Sequence, residues 1–307
     1  MKFQIAALFR FTILLFSLSL GAAFLSGCNH LLYPAEREAY IAAKYLKPIP
    51  QDIYIPVNET EKIHAWYFPA QSKIKKGAVL HFHGNGQNLT THFQFFSWMT
   101  QFGFEYLIFD YRGYGSSSGE QATQEKTVQD GLAALKYMKD NFKDLPLITI
   151  GQSLGSNVLV RTLQDADSKI LPDLVVLDSS FLSYQQAARS IVKQRWFLYP
   201  LVPFTYIAID DDFSASVQMK KTPLLPAVFF HGTSDTVISP VLGKENFDTW
   251  QGPKSLVLNE GGVHTAAFGD RRFIDNREIL IRCFDTVVSK RMDQFAKCGT
   301  LEDSVKK

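Results

Sequence analysis

The sequence predicts an α/β protein, a doubly wound and mostly parallel sheet with helices on both faces. Two observations lead there. Short, almost uninterrupted apolar runs alternate with longer amphipathic ones, which is how strands buried on both faces read when helices cover them. The composition, 46% hydrophobic and 20% charged over 307 residues, supplies a large core and lies far from that of disordered chains. A single domain of this class commonly reaches such a length.

Strands are expected at residues 63–68, 78–83, 106–110, 147–150, 174–178, 227–231 and 255–258, and helices at 90–102, 124–141, 154–164, 240–250 and 276–295. Val128, Leu132, Leu135 and Met138 carry the three-to-four spacing of one buried helix face. Residues 179–223 break the alternation and form a cap-like insertion after the core strand that ends at Asp178. Its centre, from Trp196 to Phe204, is apolar and aromatic, suited to an acyl-chain pocket, to leaning on lipid, or to a crossover packed on the sheet edge. Residues 51–300 are expected to hold the domain, and residues 28–50 a tether with a short helix from Ala35 to Leu46.

The N-terminus follows a separate logic. Lys2 and Arg10 precede an apolar run at residues 11–25, and no acidic residue occurs before Glu36, so residues 1–27 read as an export signal. It ends in Leu25-Ser26-Gly27-Cys28, which matches the lipobox of bacterial lipoproteins. Cys28 is therefore the expected lipidation site and mature N-terminus, with Asn29 pointing to an outer-membrane anchor facing the periplasm. An uncleaved anchor and a plain secretory signal are the alternatives; the apolar run is short of the roughly 20 residues that a bilayer span needs. Without residues 1–27 the chain carries 30 basic and 30 acidic residues, and no basic footprint for nucleic acid remains. Cys283 and Cys298 would then sit in an oxidising compartment, either paired or as separate thiols.

Gly151-Gln152-Ser153-Leu154-Gly155 has G-x-S-x-G spacing, follows an apolar run and leads into a helical pattern. A strand-to-helix turn that tight needs small residues two positions either side of the serine. Serine is a weak nucleophile and needs a base within hydrogen-bond reach. His264, in a glycine-containing loop after the last strand, is the expected base; His83 and His231, each before a glycine at a strand end, are expected to shape loops. Asp235, in the loop after the 227–231 strand, is the expected carboxylate orienting His264, with Asp178 as rival. The expected oxyanion donors are the backbone N–H groups of Leu154 and, in the loop His83-Gly84-Asn85-Gly86, of Asn85.

These blocks, together with Asp110-Tyr111-Arg112-Gly113-Tyr114-Gly115 and Gly262-Val263-His264, resemble the α/β-hydrolase superfamily over residues 60 to 290, in particular its serine aminopeptidase-like branch. The resemblance implies the α/β-hydrolase fold, catalysis without metal or organic cofactor, a small-molecule or acylated substrate, and a structural part for Arg112. The expected reaction is hydrolysis of a carboxylic ester or thioester through an acyl-enzyme on Ser153. A serine peptidase, and a binding lipoprotein that keeps the fold without catalysis, are the alternatives. A serine at the elbow excludes the chemistry of relatives that carry aspartate there.

Overall fold

The computed structural model describes residues 32–194 and 196–300. The expected signal peptide, residues 1–27, and the lipidation site Cys28 lie outside them. Eight strands form one sheet: β1 (Gln51–Pro56), β2 (Lys62–Phe68), β3 (Gly77–Phe82), β4 (Phe104–Phe109), β5 (Leu147–Gln152), β6 (Leu174–Asp178), β7 (Ala227–Gly232) and β8 (Lys254–Asn259). Their order is β1-β2-β4-β3-β5-β6-β7-β8. β1/β2 and β2/β4 pair antiparallel and the rest in parallel, as the doubly wound reading requires.

The strand that composition did not reveal is β1. In Gln51-Asp52-Ile53-Tyr54-Ile55-Pro56 only Ile55 is buried, because an edge strand needs one covered face, and its apolar run, Ile53 to Ile55, is too short to stand out. From β3 to β7 every strand residue is buried, and these are the strands that stood out.

The α-helices are α1 (Leu89–His92), α2 (Gln124–Asn141), α3 (Leu154–Asp165), α4 (Tyr184–Lys193), α5 (Thr205–Ala208), α6 (Pro240–Thr249), α7 (Ala266–Gly269) and α8 (Asn276–Val288). Side chains alternate along each strand, so Leu80, Phe82 and Leu107 meet Leu135, Met138 and Leu159 of α2 and α3 on one face. Val79, Tyr106 and Ile108 meet Phe96, Met99, Leu280 and Phe284 on the other.

Three expectations need correction. The helix expected over residues 90–102 stops at His92 and continues as 3₁₀ turns, Phe93–Phe95 and Ser97–Phe102. Phe93, Phe96 and Met99 are all buried, and side chains three apart align in the 3₁₀ geometry but drift apart in an α-helix. The helix expected to run to Phe295 ends at Val288, and a 3₁₀ turn, Met292–Lys297, brings Cys298 back to Cys283. The two form a disulfide with their Cα atoms 5.0 Å apart, whereas one continuous helix would hold them about 22 Å apart.

The third correction concerns residues 35–46. Instead of a helix the chain follows an irregular, bent course there apart from a 3₁₀ turn, Ala43–Tyr45. It is laid on the body and not hung from it. Tyr33 is buried with its hydroxyl hydrogen-bonded to Tyr184 at 2.9 Å, and Asn88 Nδ2 donates to the carbonyls of Glu36 and Glu38. Among the described residues no helix is long and apolar enough to cross a membrane.

Candidate active site

β4 and β5 flank β3, so the connections leaving β3 and β5 diverge and leave a crevice at the carboxyl edge of the sheet. Ser153 stands at that crevice, between β5 and α3, with φ +52°. A side chain rarely adopts such a backbone, and here it is held by the Ser153 N–H donating to the Asp178 carbonyl at 2.9 Å. The second motif glycine shows why the spacing is needed: a Cβ on Gly155 would collide with the carbonyl oxygens of Phe82 and His83.

His264 and Asp235 converge on this serine from the loops after β8 and β7. Ser153 Oγ lies 2.8 Å from His264 Nε2, and His264 Nδ1 lies 2.7 Å from Asp235 Oδ2. With Nδ1–H donating to the carboxylate, Nε2 is left to accept the serine hydroxyl proton. Burial pushes the Asp235 carboxyl up, but the hydrogen bond from His264 and those from the Val237 and Ile238 N–H groups outweigh it and hold the carboxyl below its usual range. The carboxylate is therefore charged wherever the histidine needs an anion. Asp178, the rival, is fully buried and accepts from Gln152 Nε2 at 3.1 Å; burial raises its carboxyl to about 6.

The loop after β3 borders Ser153, since a Cβ on Gly84 would stand 3.5 Å from Ser153 Cβ. His83 and His92 shape it: His83 Nδ1 meets the Gly84 carbonyl at 2.7 Å and His92 Nε2 meets the Gly86 carbonyl at 3.2 Å. Burial lowers His92 to about 4, so it stays neutral and can donate there. His231 likewise shapes the acid loop, meeting the Ile238 carbonyl at 3.0 Å. Arg112 is buried against Asp130 at 2.6 Å and Glu61 at 2.5 Å, which fixes its loop and keeps the guanidinium from the reacting groups.

Sequence reasoning passed over Ser179. Its Oγ accepts the Thr265 N–H at 2.9 Å, and both residues have positive φ, +52° and +53°. That contact fixes the loop that carries His264. The available signal was position, because Ser179 directly follows a strand-end aspartate.

Residues 73–221 match the family described as serine aminopeptidase, S33. The chain is similar to the uncharacterised protein YfhR of Salmonella typhimurium, 27% identical over 255 residues that cover 78% of this chain and 83% of that one. It is also similar to the lysophosphatidylserine lipase ABHD12 of Danio rerio, 31% identical over 208 residues, 64% of this chain and 53% of that one. Among solved structures it is similar to an esterase of Pyrococcus furiosus, with TM-score 0.63 and 19% identity over 84% of this chain and 97% of that one. A lidless α/β serine hydrolase of Xanthomonas campestris gives TM-score 0.53 and 13% identity, over 79% and 94% respectively. The sheet order and these likenesses agree on the α/β-hydrolase fold, with the match to the serine aminopeptidase family running over residues 73–221.

Proposed function

We propose that the chain hydrolyses carboxylic esters or thioesters through an acyl-enzyme on Ser153. The observation that carries this is the unbroken pair of hydrogen bonds from Ser153 through His264 to Asp235. In the first step the Ser153 hydroxyl proton passes to His264 Nε2 while Oγ bonds to the substrate carbonyl carbon. The oxyanion is met by the Leu154 and Asn85 N–H groups, neither of which is engaged elsewhere among the described residues. Collapse expels the alcohol or thiol, which takes the proton from His264. Water then repeats the sequence on the acyl-enzyme, the acyl group leaves as a carboxylic acid, and Ser153 recovers its proton.

The ABHD12 relative is a lysophosphatidylserine lipase, which supports an ester over an amide. The S33 description favours a peptidase as second reading. Labelling with a fluorophosphonate tests the nucleophile: Ser153 takes the label, and Ser153→Ala loses both label and turnover. Labelling that survives the substitution would end the proposal.

The lipobox supports membrane attachment through lipid on Cys28, in the outer membrane facing the periplasm. Metabolic labelling with a fatty-acid probe tests it, with incorporation expected in the native chain and lost in Cys28→Ala.

A further inference from the structure

Beyond the catalytic edge, the cap presents an apolar surface that the domain does not cover. In the 3₁₀ stretch Trp196–Phe204 and helix α5, Tyr199 is 61% exposed, Leu201 49%, Phe204 62% and Ile207 69%. Large apolar side chains exposed side by side mark a surface that is covered in use. The position of the chain's N-terminal end says by what. Tyr33 is buried against Tyr184, the first residue of α4. The next residue, Gln185, donates to the Tyr206 and Ile209 carbonyls, and the Arg189 guanidinium lies 4.2 Å from the Tyr206 ring centre. The chain thus enters the body at the foot of the cap.

From Cys28 to Leu32 are four residues, which span at most about 14 Å, and from the end of the apolar run at Leu25 at most about 25 Å. A domain of this size has a radius of gyration of about 19 Å. A lipid on Cys28, or an apolar run held in the bilayer, therefore keeps the foot of the cap within about one domain radius of the membrane, too close for the domain to turn freely.

We propose that Tyr199, Leu201, Phe204 and Ile207 form a docking face for a phospholipid bilayer, the same bilayer to which the N-terminal segment ties the chain. The inference rests on the membrane attachment proposed above and needs none of the catalytic chemistry. Among the described residues the exposed cations of the cap, Lys193, Lys220 and Lys221, outnumber its exposed acids, Asp210 and Asp212, a balance that suits an anionic surface. Docking turns the carboxyl edge of the sheet, from which the cap rises at Asp178, towards the membrane interface and towards acyl esters held in it.

The test uses the full chain reconstituted in phosphatidylcholine/phosphatidylglycerol vesicles made with and without lipids brominated on their acyl chains. Tryptophan is introduced as Phe204→Trp on the cap and as Ile74→Trp, an exposed residue before β3 at the opposite edge of the sheet. Brominated lipid should quench the added emission at 204 and leave that at 74 unchanged, while aqueous iodide does the reverse. Equal quenching of both positions by iodide, with no effect of bromine at 204, overturns the proposal. So does protection of 204 from both quenchers, which would mean that a second copy of the chain covers the patch. The double substitution Leu201→Ser with Phe204→Ser should slow hydrolysis of a vesicle-borne long-chain ester about tenfold and spare a soluble short-chain ester; equal loss on both overturns it as well. Ser153→Ala leaves the quenching pattern intact, which separates a failure here from a failure of the catalytic reading.

Discussion

Two carboxylates stand at the carboxyl ends of neighbouring strands, Asp178 on β6 and Asp235 just after β7, and only Asp235 bonds His264. Their surroundings differ in what they offer a negative charge. Asp235 lies in a turn that aims two backbone N–H groups and an imidazole N–H at it, so its anion is held in place. Asp178 has the Gln152 amide and the neighbouring Ser179 hydroxyl, in complete burial, so its charge is resisted. What separates the two aspartates is the set of donors that the loop after each strand supplies, and burial alone does not hold a carboxylate charged.

The largest expected effect breaks or keeps this distinction outright. Asp235→Asn should lower kcat on a short-chain ester by about ten-thousandfold, because the histidine loses its tautomer, while Asp178→Asn changes it by less than about tenfold. Comparable losses at the two positions would show that both serve the histidine.

Stability should respond with opposite signs. The folded Asp178 carboxyl titrates near 6, above its unfolded value of 3.8, so the native state binds more protons between these values and loses stability as pH rises through them. Asp178→Asn removes that loss and should stabilise the protein by up to about 3 kcal/mol at pH 8, with no gain at pH 3. The folded Asp235 carboxyl lies below its ordinary value, so its contribution is present above that value and fades as pH falls. Asp235→Asn should therefore destabilise at pH 8. Urea unfolding of both variants at the two pH values reads the signs directly.

The smallest effect sharpens the comparison at Ser179, next to Asp178. Ser179→Ala removes the acceptor of the Thr265 N–H and should lower kcat about fivefold, the equivalent of one ordinary hydrogen bond, without changing KM. A rise in KM with kcat intact would mean that Ser179 touches substrate and does not position His264.

How much of this was legible follows from which residues report on themselves. The strands buried on both faces announce themselves by apolar runs, and the elbow by its glycines, because those positions tolerate nothing else. Ser153, Asp235 and His264 were each readable from a loop following a strand, and the structure brings the three together. β1 was not readable, since an edge strand alternates and needs a partner to exist. The break after His92 and the return from Val288 to Cys298 are set by packing and by a covalent link, neither of which shows in local periodicity. The course of residues 33–46 depends on Tyr184 and Asn88, far away in sequence.

Gly155 carries a consequence for anyone redesigning this protein. Its bare Cα lets α3 rest directly on the carbonyls of Phe82 and His83, the same backbone that leads into the Asn85 loop. Ser153 and the Asn85 loop are thereby mounted on one block, with no side chain between α3 and that loop to trim or enlarge. Selectivity engineering therefore gains little adjustment there.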